Sequence, residues 1–163
     1  MSDGEGRPAP RPRGRALPVD DSIFFKLVRV VNLTARPFSE SIGKAHRLSL
    51  NEWRVLLVLA NHPQVVASEV AALTGLDKMS VSRAIAGLER HGRVVRKVDA
   101  DDRRRLPLRL SAAGERLYER IGVPAKARER SLVRGMSVAD QARLDRLLDR
   151  LIANLAAADD ASA

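Results

Sequence analysis

Residues 67–111 constrain the fold of this chain more than any other stretch. They read as two short helices with a tight turn between them, then two β-runs around a loop crowded with Asp and Arg. Ser68 is placed to cap the first helix, EVAALT, and Gly75 to close it in the left-handed conformation that glycine adopts freely. Asp77 is placed to cap the second, Lys78 to His91, with Leu76 and Val81 at the staple positions around that cap. The joint of about three or four residues is the spacing of a helix-turn-helix.

At about 100° per residue the second helix divides into two faces. Val81, Ala84, Ile85 and Leu88 share one, and Met79, Ser82, Arg83, Ala86 and Arg90 share the other. The apolar face suits packing on the preceding helices. The other face is small, polar or basic and can enter a groove, where an ordinary surface helix would carry longer Lys/Glu pairs. His91 and Gly92 end this helix. VVRKV and LPLRL follow as short strands, with Leu106, Leu108 and Leu110 alternating with Pro107 and Arg109. Pro107 has no N–H to donate, so the second strand is expected to expose an edge there. From Arg90 to Arg109 the chain carries eight Lys/Arg and three Asp. A helix that fits the major groove beside a basic hairpin is what readout of duplex DNA requires.

Composition agrees with that direction. The 163 residues make one domain of ordinary size, with a formal charge of +9 and a sequence pI of about 11.1. This balance favours polyanionic partners, nucleic acid ahead of an anionic membrane surface. Cysteine is absent, which removes disulfides, thiol nucleophiles, thiolate metal sites and thiol-based redox sensing. His46, His62 and His91 lie far apart without ligand spacing, so no metal and no cofactor are expected. There is no Gly-rich phosphate loop, no carboxylate pair in an apolar setting and no nucleophile with an evident base, which argues against an enzyme. No apolar run reaches about 18 residues and the N-terminus lacks a secretory core, so the expected location is the cytoplasm, with no membrane partner.

The remaining segments divide the chain into four. Residues 1–18 are rich in Pro, Gly and Arg and read as a disordered basic tail, either a solvated extension or a brush for DNA phosphates. Residues 19–47 carry Ile23, Phe24, Leu27, Val30 and Val31 at helical spacing, with Pro37 expected to kink or end the helix near Arg36. Residues 48–110 open on a capping box, Ser49 to Glu52, with Leu48 and Trp53 as its staple. The helix after it is apolar nearly all round, which implies burial on several sides. In residues 111–158, Ser111 caps a long helix that Pro124 is expected to break or bend. Ser137 and Asp140 then open a last helix with Leu144, Leu147, Leu148, Leu151, Ile152 and Leu155 on one stripe. The stripe packs within its own subunit, on a second copy, or both.

Three blocks in order, LSLNEWRVLLVLA, SEVAALTGLDKMSVSRAIAGLERHGRV and DADDRRRLPLRLSAAGERLYERI, span about Leu48 to Ile121. In them the chain resembles the MarR family of winged-helix transcriptional regulators. The resemblance implies a mostly α fold with a small β-hairpin: a winged helix-turn-helix over 48–110 and helical dimerisation regions at 19–47 and 111–158. It also implies a homodimer that represses transcription and that a small aromatic or phenolic acid can release from DNA.

On duplex DNA, Lys78 to Arg90 is expected in the major groove. Arg83 is the candidate for a bidentate contact to guanine, Ser80 and Ser82 for phosphates or base edges, and Met79 and Ala86 for thymine methyls. Ser68 can offer a backbone N–H to a phosphate. Arg103 matches the family's wing arginine for a narrow minor groove, braced by Asp101, with Arg104 and Arg105 on phosphates or in solvent. Phe24, Phe38, His46, Trp53 and Arg54 are candidates to line an effector cleft, although Trp53 at its staple position and Phe24 and Phe38 on an apolar stripe suit core packing better. Two-fold symmetry calls for a pseudopalindromic operator with half-sites about 10 bp apart. A sequence-neutral architectural nucleic-acid-binding protein is the alternative that would share the charge and its salt dependence.

Overall fold

The structure is a computed structural model that describes residues 21–96 and 106–160, the side chains of the last two excepted. The chain divides into two compact units, one up to Trp53 and one from Arg54 onward.

In the first unit, α1 (Ile23–Phe38) starts where the Ser22 hydroxyl accepts the Phe25 N–H at 3.4 Å. Pro37 does not end the helix at Arg36, because the register is carried past it: the Ser39 N–H bonds to Ala35 and Arg36 carbonyls. The disturbance appears just beyond the proline, where Ser39–Gly43 widens into a π-helical turn before the short α2 (Lys44–His46). Hydroxyls support this stretch, Ser39 Oγ donating to Ala35 O at 3.3 Å and Ser41 Oγ to Pro37 O at 2.6 Å. Gly43 sits too close to Leu48 for a side chain: an added Cβ would stand 2.9 Å from the Leu48 carbonyl oxygen. Phe38 and Trp53 stack at 6.1 Å with rings 25° apart, and both are buried, as is Leu48.

The α3 helix (Leu50–Asn61) begins on the reciprocal cap read from its sequence. The Ser49 N–H donates to Glu52 Oε2 at 2.6 Å and the Glu52 N–H to Ser49 Oγ at 3.2 Å. In the second unit α3 contributes Val55, Leu56 and Leu59 to the core. Val70 of α4 (Ala67–Thr74), the inner face of α5 (Lys78–Arg90), Val94, Leu108 and Ile121 complete it. Such burial is the main stabilising term, roughly 1.5–3 kcal/mol for each fully buried aliphatic side chain.

The two strands β1 (Val94–Arg96) and β2 (Leu108–Leu110) pair antiparallel, Val94 with Leu110, Val95 with Arg109 and Arg96 with Leu108. Two sequence expectations are corrected nearby. Pro107 is buried, and the far edge of β2 is not left open: the Leu108 N–H donates to Val65 O at 2.9 Å and the Gln64 N–H to Leu108 O at 3.1 Å. The same pairing shifts the start of α4. Its N-cap is Val66, not Ser68, and the Val66 N–H donates to Glu69 Oε2 at 2.8 Å.

Ser111 caps α6 (Ala112–Leu132) by accepting the Gly114 N–H at 3.1 Å. Pro124 lies inside α6 without breaking it. Pro124 and Arg120 are exposed, so the carbonyl that loses its donor can turn to water. Ser137 opens α7 (Val138–Asp160), its hydroxyl accepting the Asp140 N–H at 3.1 Å and donating to Asp140 Oδ2 at 2.6 Å. Among the described residues no helix is long and apolar enough to cross a membrane, and no group of three or more His, Cys, Asp or Glu could hold a metal ion.

Candidate nucleic-acid interface

The α5 helix carries the site, and its placement follows from its two faces. Val81, Ala84, Ile85, Gly87 and Leu88 are buried, which fixes the rotation of the helix about its axis. Met79, Ser82, Arg83, Ala86 and Arg90 are consequently exposed, and Lys78 with them. Met79 is 66% exposed, so the open face includes an apolar side chain.

The start of α5 is held by Asp77, whose Oδ1 accepts the Ser80 N–H at 2.8 Å and whose Oδ2 accepts the Ser80 hydroxyl at 2.6 Å. These bonds, the Ser80 hydroxyl first, hold the Asp77 carboxyl below its usual range. Arg83 Nη2 in turn donates to Ser80 Oγ at 3.5 Å. The hydroxyl of Ser80 is thus a link between the cap and Arg83, and its one proton points at Asp77. Ser68 stands in the first turn of α4, where N–H groups have no acceptor within the helix.

The hairpin root is tied to α5 by a contact the sequence did not announce. Arg96 Nε donates to Glu89 Oε1 at 2.6 Å and Arg96 Nη2 to Glu89 Oε2 at 3.3 Å, a two-pronged guanidinium–carboxylate pair. The bond to Glu89 raises the Arg96 guanidinium above its ordinary value. Strand alternation was the available signal. Val94 and Arg96 project from the same side of β1 and Val94 is buried there, so Arg96, itself exposed, stands on the core side of the strand. Asp101, Arg103, Arg104 and Arg105 lie outside the described residues.

Of the residues considered for an effector, Phe38 and Trp53 come together in the buried stack of the first unit. Phe24 is 69% exposed on α1 and meets Phe25 edge-on at 6.0 Å. His46 is half-buried in α2, and Arg54 is half-buried at the opening of the second unit.

The chain is similar to known regulators of transcription. A family model described as the MarR family matches residues 47–105. The homoprotocatechuate degradative operon repressor of Escherichia coli is 26% identical over 133 residues, 82% of this chain and 89% of that protein. The HTH-type transcriptional regulator FarR of Neisseria gonorrhoeae is 30% identical over 101 residues, 62% of this chain and 68% of that one. Among solved structures, a probable transcriptional regulator from Pseudomonas aeruginosa superposes with a TM-score of 0.72 at 29% identity. That match covers 82% of this chain and 99% of the other.

Proposed function

This chain belongs to the MarR family of transcriptional regulators, and from that premise we propose that it is a repressor acting as a homodimer on a pseudopalindromic operator. The observation that carries the reading is the division of α5: one face sealed in the core, the other open and composed of Met79, Ser82, Arg83, Ala86 and Arg90. Arg83 is the group for a bidentate contact to guanine, because it is exposed and its guanidinium is oriented by donation from Nη2 to Ser80 Oγ. Lys78 and Arg90 neutralise phosphates, the first turn of α4 at Ser68 offers a phosphate an N–H, Arg103 braced by Asp101 takes the minor groove, and Arg104 and Arg105 meet phosphates or solvent.

Residues 48–110 form the DNA-binding region in this reading, and 19–47 with 111–158 the dimerisation regions. Exposed apolar surface on α1 and on α7 supports the second part: Ile23, Phe24, Val31 and Leu33 on the one, Leu147, Leu148, Ile152 and Leu155 on the other. Surfaces of that kind call for a partner. A small aromatic or phenolic acid is the proposed effector, in keeping with the relative named for an operon that degrades homoprotocatechuate. Phe24, Phe38, His46, Trp53 and Arg54 are the residues proposed to meet it, the Arg54 guanidinium pairing with the carboxylate of the acid. Family and fold are those of regulators rather than enzymes.

The test is selection of genomic fragments by the purified protein under competition from random duplex, repeated with phenolic acids. The expected result is a preferred two-fold site with half-sites about 10 bp apart, retained against competitor. Binding that competitor removes without residue would replace this reading with a sequence-neutral architectural protein.

A further inference from the structure

The Glu89–Arg96 pair joins the reading helix to the hairpin at a telling place. Glu89 is seven residues beyond Ser82, so the two lie nearly in line along α5, on one edge of the exposed face. Arg96 ends β1 and is the last described residue before 106. Opposite it across the ladder stands Leu108, which is fully buried. The hairpin root therefore has two anchors: an apolar one on β2, fixed in the core, and an ionic one on β1, fixed to α5. The ionic anchor is partly exposed, where an ion pair adds little to folding stability. A planar two-pronged pair nevertheless fixes direction as well as distance, which a single contact to an ammonium does not.

Resting on the reading of α5 and the hairpin as the two DNA contacts, we infer that Glu89 and Arg96 are positioning residues that set the angle between them. The pair lets both elements meet one duplex at once. It has a second effect. Glu89 is an anion at the edge of a surface that must approach phosphates, and the Arg96 guanidinium neutralises it. Arg96 spent in this way adds nothing to indiscriminate attraction, so the pair raises preference for the right duplex rather than affinity for any duplex.

That distinction gives the test. Glu89→Gln, Arg96→Lys and the exchanged double variant Glu89→Arg with Arg96→Glu are titrated with the selected fragment and with a random duplex of the same length, and their melting temperatures are recorded. Glu89→Gln removes an anion and frees a cation. Its affinity for random duplex should hold or rise while that for the selected fragment falls, lowering the preference about tenfold. Arg96→Lys keeps the charge but loses the fork and should lower the preference as well. The exchanged pair should recover most of it. If all three variants keep the wild-type preference, or if affinity for both duplexes falls in step with melting temperature, the pair only supports the fold and the inference fails. A wild-type protein with no preferred fragment is a different failure, that of the regulator reading on which this one rests.

Discussion

Removing Ile152 and Leu155 from α7 should dissolve the proposed dimer without unfolding the subunit. The two residues are 65% and 69% exposed and lie three positions apart on the stripe that also holds Leu144, Leu148 and Leu151. Complete burial of such a side chain is worth roughly 1.5–3 kcal/mol, so covering the exposed two-thirds of each is worth about 1–2 kcal/mol. A homodimer buries each residue twice. The double variant Ile152→Ala with Leu155→Ala thus forfeits about 4–8 kcal/mol of association, an upper estimate if both are fully covered. The lower figure alone raises the dimer Kd about a thousandfold. Alanine preserves helix propensity, and neither residue belongs to the core, so far-ultraviolet circular dichroism should match that of the parent. Sedimentation equilibrium over a wide concentration range reads the change. A parent that sediments as a monomer throughout, or a variant that dimerises as tightly as the parent, refutes the argument.

Two other outcomes follow from particular contacts. Gly114→Ala should destabilise the joint between β1 and α6, because an added Cβ would stand 2.1 Å from the Arg93 carbonyl oxygen, which already accepts the Ser111 N–H. Overpacking against backbone costs about 1–3 kcal/mol or more, seen as a melting temperature several degrees lower, and an unchanged melting temperature would contradict the packing described. The Asp77 carboxyl, held low by Ser80, should stabilise α5 above its unfolded pKa of about 4 and cease to do so as pH falls through the lower folded value. The stability gap between the parent and Asp77→Asn should therefore narrow in acid; a gap constant from neutral pH downward would show that the charge is not what matters at this cap.

Local chemistry was the legible part of this chain. The caps at Ser49, Asp77, Ser111 and Ser137 each depend on a partner three residues away, and the two faces of α5 depend on a period that the apolar residues display directly. What escaped was non-local. Ser68 does not cap α4 because pairing of Gln64 and Val65 with Leu108 draws the chain into α4 two residues sooner. The same pairing closes the edge expected to stay open at Pro107. Pro37 and Pro124 argue for interruption when read alone, yet both lie inside helices; at Pro124 the carbonyl that loses its donor is on an exposed residue and can turn to water. The Glu89–Arg96 pair had only the alternation of a three-residue strand to foretell it. For the proposed DNA contacts, the outward position of Arg83 was legible from period, and the tether through Ser80 was not.

The claim at the centre of this account is that the open face of α5 reads bases through Arg83. Titration of the selected duplex and of its single base-pair variants with the Arg83→Ala protein tests it most directly. Loss of one bidentate contact is worth about 1–3 kcal/mol, so affinity should fall about fivefold to 150-fold, with discrimination lost at one position in each half-site and melting temperature unchanged. Equal affinity and an intact preference at every position would contradict the account.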